Sequence, residues 1–462
     1  MAGTDIAIDL GSANFRLYVD GKGVVVDEPN VIAVDEDSNR VVAVGRRAYK
    51  MLGRTSDRVR VVKPVTGGVI SDLTLMDATL QHYLKKVTNS RVFMPRAVVA
   101  VPSGITEVER RAVVDAVAAN GIRKVCLIEA PVAAAIGAGL DISRPHGSMV
   151  VTLGEGVSDI GVLSMNRLSV SGSIAVGGAV FNEDIIKYAR RKFDLIIGEQ
   201  TAEAAKCAVG CAFPLKDIEK YELRGRDERN GLPAKVEVTS DEIGEAMLES
   251  VVKVVHKIRS VLEETPPELT ADIGNAGIVL TGGGAKLRGL DTLISKQTKM
   301  RVRIAEEPED CVILGAGRAV QWIDSVKMDA GKENGNVPLT AYYLGAAYGK
   351  TGAERPQNVD GADRRKRRCA YSERGLGAYR AEGRGKRRAD GRQTPRVGAC
   401  GRKPRGIGAG SLFEKRRISL AQRNSLRLFF TEICVPVLRA AGCGAAVSGE
   451  SEAAQEERAL GI

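Results

Sequence analysis

The chain has 462 residues, 44% of them hydrophobic and 27% charged, which is enough for two domains with buried cores. Aromatic residues make up 4% with a single Trp, which argues against a surface that stacks bases or sugars, and no run of about 18 uncharged apolar residues predicts a membrane-spanning helix. The net charge of +11 belongs to the last quarter: residues 351–462 hold 24 Lys and Arg against 12 Asp and Glu, leaving 44 basic and 45 acidic residues for a near-neutral body with no electrostatic reason to bind nucleic acid.

Residues 1–11 carry Asp5 and Asp9 and lack a basic stretch, which argues against a secretory signal. Residues 5–19 read as strand, Gly turn and strand, and residues 149–164 repeat that design. Aligning Asp9 with Thr152, 143 positions later, predicts a duplicated body with one such unit opening each half. Short strands are expected at 31–34 and 41–44 and a buried strand at 97–101 that Pro102 ends. Thr106 with Glu109 forms a capping box for a helix with an apolar stripe of Ala112, Val113, Ala116 and Val117. A strand at 125–128 leads through Pro131 into an Ala-rich helix over 132–139.

Further helices are expected at 183–195, 200–208 and 240–262. A strand at 278–280 runs into Gly282-Gly283-Gly284, followed by a helix over 287–295. Cys311 to Leu314 reads as another apolar run before Gly315-Ala316-Gly317 and a last helix near 317–328. Strands alternating with helices place the body in the α/β class. Beyond about residue 335, basic runs such as Arg364 to Arg368 stand among Gly and Ala with little apolar periodicity, so 336–462 reads as a disordered tail. Cys207 and Cys211, one helical turn apart, offer two metal ligands at most; without a second pair or a nearby His they read as small buried hydrophobes in a reducing cytoplasm.

Gly turns between strand and helix bring backbone N–H groups to phosphate oxygens. Four recur here at expected strand ends: Gly11-Ser12-Ala13-Asn14, Gly154-Glu155-Gly156, Gly282-Gly283-Gly284 and Gly315-Ala316-Gly317. In a duplicated α/β frame they point to a nucleotide cleft between the halves. None follows the GxxxxGK[ST] pattern. Asp9, beside the first turn, is placed to hold Mg²⁺ through waters or to serve as a turn residue.

Over about residues 4–330 the sequence resembles the bacterial actin homologues of the rod-shape-determining MreB family. The resemblance is carried by Ile8-Asp9-Leu10-Gly11-Ser12-Ala13-Asn14, by Val101-Pro102-Ser103-Gly104-Ile105-Thr106-Glu107, by Ala133-Ala134-Ala135-Ile136-Gly137-Ala138-Gly139-Leu140, by Thr265-Pro266-Pro267-Glu268-Leu269 and by Leu280-Thr281-Gly282-Gly283-Gly284. It implies an actin-like fold. Two lobes of duplicated ribonuclease-H-like topology, at about 1–147 and 148–335, would clasp ATP and Mg²⁺, with smaller subdomains at about 31–67 and 207–270. By that pattern Gly11, Ser12, Ala13 and Asn14 form the first phosphate loop and Gly154, Glu155, Gly156 and Val157 the second. Glu203 and Lys206 face the adenosine, Gly282, Gly283 and Gly284 pass close to it, Gly315 joins the cofactor set, and Asp9 stands at the metal. The spacing alone leaves Glu203 and Lys206 an exposed i,i+3 ion pair.

The sequence departs from the family where the chemistry lies. Thr152 replaces the Asp that opens the second phosphate loop, and Gly154-Glu155-Gly156-Val157 replaces Gly-Gly-Gly-Thr, putting like charge into a phosphate cradle. Glu129-Ala130-Pro131 replaces Glu-Glu-Pro, so Ala130 stands where the resemblance places the water-polarising base. Ala179 replaces an Asp after Gly177-Gly178. Arg16 lies where eukaryotic actin has a phosphate-contacting Lys and would add positive charge. The resemblance implies a divergent paralogue that binds nucleotide weakly or statically and hydrolyses it slowly or not at all, so whether it is an enzyme stays open.

Two functions are then expected. One is a filament-forming cytoskeletal protein of cell shape and wall elongation, cytoplasmic and peripheral at the inner face of the cell membrane. Residues 1–4 are too short for the family's amphipathic helix, so the expected anchor is Val92, Phe93 and Met94 between Arg91 and Arg96, which also reads as a core-capping turn. The other is a non-polymerising, nucleotide-sensing regulator or cap of an active relative's filaments. The tail has no counterpart in the family; it reads either as a segment for anionic lipid or nucleic acid, or as an out-of-frame reading of GC-rich DNA.

Overall fold

The computed structural model describes residues 5–85, 95–214, 216–323 and a strand at 341–343. The expected anchor Val92, Phe93 and Met94 lies outside these residues, as does all but that strand of the Arg-rich tail. The chain divides into residues 1–353 and 354–462, and the second unit falls wholly outside the described residues.

In the first half, β1 (Ile6–Leu10), β2 (Asn14–Val19) and β3 (Gly23–Pro29) form an antiparallel meander. A small sheet follows, with β4 (Ile32–Asp35) between β5 (Arg40–Val44) and β6 (Val59–Val62), and with helix α1 (Arg46–Tyr49). The hairpin β7 (Val65–Thr66) and β8 (Val69–Ile70) leads to α2 (Leu73–Leu84), β9 (Arg96–Val101), α3 (Glu107–Ala119), β10 (Lys124–Glu129) and α4 (Ala130–Gly137). β9 joins β1 in parallel and β10 joins β9. Thr106 caps α3 with the expected capping box to Glu109.

The second half repeats the plan. β11 (Ser148–Leu153), β12 (Ser158–Ser164) and β13 (Arg167–Ile174) form the meander, followed by α5 (Gly178–Phe193). A second small sheet holds β14 (Leu195–Ile196), β15 (Lys220–Asp227) and β16 (Pro233–Thr239), with α6 (Glu199–Val209) connecting the first two strands. Then come α7 (Ser240–Glu264), α8 (Pro267–Ala276), β17 (Ile278–Thr281), α9 (Leu290–Thr298), β18 (Val302–Ile304) and α10 (Cys311–Ala319). β17 lies parallel to β11, as β9 does to β1. The cross-strand registers match too: Asp9 faces Arg16, and Thr152 faces Asp159. The 143-residue repeat read from the sequence is therefore a repeat of strand order and register.

Each large sheet covers its own core, with Ile8, Phe15, Leu80 and Val99 in the first and Met149, Ile160, Ile185 and Met247 in the second. A third cluster joins the halves through Ala7, Val98, Cys126, Val150, Val279 and Ile313, with α4 and α10 inside it. Burying one such aliphatic side chain contributes about 1.5–3 kcal/mol, so three connected clusters fix the strand ends firmly.

Three expectations change. Residues 311–317 are not a strand followed by a Gly turn; they are the first turns of α10, which ends at Ala319. A short apolar run cannot be told from a buried helix by periodicity, and here the small residues set the helix packing. A Cβ built on Gly315 would lie 1.8 Å from Ala133 O, and one on Gly137 would lie 1.8 Å from Cys311 O, so α4 and α10 touch backbone to backbone. The second small sheet spans 195–239, so it begins ahead of the small subdomain that the resemblance implies at about 207–270. Finally, β19 (Ala341–Tyr343), inside the stretch read as disordered, pairs in parallel with β10 and makes the first sheet six-stranded.

Candidate functional site

The turns of the two meanders meet. In the β1–β2 turn Asn30 donates its backbone N–H to Ala13 O at 2.8 Å and its side-chain amide to Gly11 O at 2.9 Å, which fixes the loop from below. In the β11–β12 turn Gly154 N donates to Val157 O at 2.9 Å. A Cβ built on Gly156 would stand 2.6 Å from Ser12 Oγ and 2.9 Å from Gly67 N. The second turn therefore packs against the Ser12 side chain of the first and, at backbone distance, against the Gly67-Gly68 turn of the β7–β8 hairpin. Gly68 N donates to Ser12 Oγ at 3.1 Å. This third turn was not singled out in the sequence, although Gly-Gly between short β-branched strands is a hairpin signal.

Around these turns the other expected residues gather. Gly178 N donates to Gly154 O and Ala179 N to Glu155 O, so the first amides of α5 are satisfied by carbonyls of the β11–β12 turn. Lys206 on α6 donates to Gly178 O at 3.0 Å and to Glu203 at 2.8 Å. Glu203 also accepts from Asn182 at 2.7 Å and from Cys207 Sγ at 3.2 Å. The pair is thus wired into the loop rather than being an isolated surface ion pair. Gly282 has φ 80° and a Cβ there would meet Leu153 O at 2.4 Å, and one on Gly284 would meet Leu153 Cβ at 2.9 Å, so both lie against the end of β11, while Gly283 faces Glu309. Gly315 is not part of this group; it is inside α10 against Ala133. Cys211 is buried and donates to Ser240 O, while Cys207 turns to Glu203, so the two thiols share no partner.

The charges are arranged as follows. Asp9 is 16% exposed; burial pushes its carboxyl up to about 6, Arg16 pulls it down, and Asp27 and Asp310 raise it further. Arg16 lies 3.9 Å from Asp9, donates to Asp27 at 3.1 Å and to Glu309 O at 2.9 Å, and pairs with Asp310 at 3.6 Å. It therefore ties the first turn to the segment before α10. Asn14 is taken up by Asp27 at 3.0 Å. Thr152 accepts from the Thr281 hydroxyl at 3.0 Å inside the sheet.

Beside Ala130 the structure places two carboxylates. Glu129 stands just before α4 without a capping hydrogen bond and pairs with Arg110 at 3.9 Å; burial raises its pKa against that pull. Asp159, overlooked in the sequence, is 3% exposed and pushed up to about 6, first by burial. Ser103 engages both of its oxygens, with Ser103 N at 2.8 Å and the Ser103 hydroxyl on the other oxygen. Asp159 thus links β12 to the loop after β9. The signal for it was the register: it is the residue that must face Thr152.

The residues fit a phosphate chain better than they fit a metal. Glycine lets these turns come together without side chains over their backbone amides: a Cβ at Gly156 would collide with Ser12 Oγ and Gly67 N. No group of three or more His, Cys, Asp or Glu among the described residues could hold a metal ion alone. Of the two positions expected to carry metal-side carboxylates, only Asp9 does, and Arg16 already stands against it.

Comparison with known proteins fits this geometry. The MreB/Mbl protein family matches residues 3–328. The chain is 43% identical over 327 residues to the cell shape-determining protein Mbl of Bacillus subtilis, covering 71% of this chain and 98% of that protein. It is 44% identical over 331 residues to the cell shape-determining protein MreB of Escherichia coli, covering 70% and 95%. The crystal structure of MreB5 of Spiroplasma citri bound to ADP superposes with a TM-score of 0.66 at 35% identity over 68% of this chain and 94% of that one. The MamK double helical filament gives 0.60 at 18% identity over 69% and 98%, a likeness of fold.

Proposed function

The chain belongs to the MreB/Mbl family and has the actin-like fold, and from that premise we propose that it is a filament-forming cytoskeletal protein of cell shape and wall elongation that binds ATP and hydrolyses it poorly. The observation that carries the proposal is the contact of Gly156 with Ser12, which closes two phosphate turns from the two halves on one another with Glu203 and Lys206 alongside. The MreB5 structures with ADP and with AMPPNP support nucleotide binding. The names of the Mbl and MreB relatives support a role in cell shape. The MamK filament supports self-association.

Each group has a task in this reading. Amides of residues 11–14 and 155–157 bind the phosphates, Arg16 adds positive charge, and Lys206 with Glu203 lines the adenosine side. When bound, Mg²⁺ would neutralise phosphate charge, and Asp9 alone would hold it through water, so weakly. Turnover is impaired because the methyl group of Ala130 cannot polarise water, and Asp159 already accepts from Ser103. A positioned base contributes typically about 10²–10⁴-fold.

The membrane part of the proposal rests on Val92, Phe93 and Met94, with the protein cytoplasmic and peripheral at the inner face of the cell membrane. No helix among the described residues is long and apolar enough to cross a membrane. Pelleting with anionic liposomes should fall in a Phe93→Asp variant; equal pelleting would discard the anchor.

A second reading, a non-polymerising nucleotide sensor or cap of an active relative's filaments, is favoured by Glu155, whose charge in the second turn works against phosphate. Electron microscopy of the full chain with and without ATP separates the two. Filaments support the first reading, and their absence under both conditions supports the second.

A further inference from the structure

Lys63 lies just beyond β6, where the small sheet of the first half passes into the β7–β8 hairpin. Its ammonium is 2.6 Å from Glu155 Oε1 and 2.5 Å from Glu199 Oε1. Both carboxylates belong to the second half: Glu155 to the β11–β12 turn and Glu199 to the first turn of α6. The side chains of Lys63 and Glu155 are 20% and 15% exposed, so this bridge is only partly screened by water. Burial pulls the Lys63 ammonium down, but Glu155 and then Glu199 outweigh it, and the net shift is upward. Glu155 Oε2 is buried without a donor of its own, so Lys63 is the cation that makes this carboxylate tolerable there.

A second contact reinforces the first. The hairpin that starts after Lys63 ends in the Gly67-Gly68 turn, and a Cβ on Gly68 would strike Val157 Cγ2 at 2.7 Å. The segment 63–68 is thus held at both ends against residues 155–157.

We propose that Lys63, Glu155 and Glu199 form an interlobe latch, which closes the small sheet of the first half onto the second phosphate turn through the chain's own charges and must open before a phosphate chain can reach residues 154–157. The latch itself stands on geometry alone; only its gating of phosphate entry rests on the nucleotide reading. One side chain then has two effects. Glu155 disfavours phosphate by like charge, and it also draws the lid of the cleft shut. Closure, which a bound nucleotide would otherwise have to drive, is supplied in advance.

The test compares the full-length, nucleotide-free chain with Lys63→Ala, Glu155→Gln and Lys63→Arg variants by hydrogen exchange. Residues 64–71 should exchange about tenfold faster in Lys63→Ala and Glu155→Gln, the factor that about 1.4 kcal/mol produces. Lys63→Arg should stay near wild type, and β1 and β9 should be unchanged in all four, which separates latch opening from unfolding. A fluorescent ATP analogue should bind with an association rate about tenfold higher in the two opened variants. Unchanged exchange at 64–71 in both opened variants would overturn the latch. Faster exchange with no analogue binding to any of the proteins would keep the latch and remove the nucleotide reading. Faster exchange with unchanged association rates would remove the gating.

Discussion

Thr281 donates its hydroxyl hydrogen to Thr152 Oγ1 over 3.0 Å, and the two residues are register partners in the β11–β17 ladder. The hydroxyl that stands where the resemblance leads one to expect a second acid is therefore engaged inside the sheet. On the other half the same position is Asp9, whose partner on the parallel strand is Ala100 and whose carboxylate looks instead to Arg16. The duplicated frame is intact, but its two halves no longer offer matching acids.

Thr152→Asp should restore the missing acid at a cost. A carboxylate buried in place of this hydroxyl lowers the stability of the free protein by about 1–3 kcal/mol. Mg²⁺ with ATP should recover that loss, and nucleotide affinity should become about tenfold more Mg²⁺-dependent than in the wild type. Thermal melting and calorimetry with and without Mg²⁺ check this; a variant no more Mg²⁺-dependent than the wild type would mean that position 152 does not face the metal.

Ala130→Glu should restore the group expected to polarise water. Because Thr152 is still present, the gain in phosphate release is expected near the lower end of the range for a general base, about 10²-fold, and larger in combination with Thr152→Asp. A steady-state phosphate assay reads both. No gain in the double variant would mean that the turns do not hold ATP in a reactive pose.

Asp159 makes stability depend on pH. Its folded pKa of about 6 lies above the ordinary 3.8, so the folded protein binds that proton more tightly than the unfolded chain does. The contribution is fully present below about pH 4 and is lost as pH rises through about 6. Relative to an Asp159→Asn variant, the wild type should lose about 2–3 kcal/mol of stability between pH 4 and pH 7. Chemical denaturation at several pH values measures the difference, and parallel curves would show that Ser103 holds the carboxylate ionised throughout.

Gly315→Ala tests the packing of α4 on α10. The added Cβ would meet Ala133 O at 1.8 Å, which the backbone of α4 cannot yield without moving. A loss of about 3 kcal/mol or more is expected. If nucleotide binding weakens while stability holds, Gly315 belongs to the cofactor set after all.

The sequence and the structure agree where periodicity and turn chemistry are strong. The two meanders, the capping box at Thr106 and the Gly turns at 11 and 154 are each written in a local run of residues. The rest depends on contacts between distant segments. Lys63 looks like one more surface lysine until β6 brings it to Glu155 and Glu199, 92 and 136 residues away. Asp159 is an unremarkable strand residue until the β12 register sets it opposite Thr152. Gly315 looks like a phosphate turn because small residues serve close helix packing and phosphate approach equally well. Only the surrounding backbone tells the two uses apart.

The central claim is a cleft that binds ATP and scarcely cleaves it, and the most direct test measures both on one sample. Full-length protein should bind ATP with Mg²⁺ in calorimetry while releasing phosphate at a rate close to the buffer background. Release as fast as that of an Mbl or MreB relative assayed alongside would contradict it.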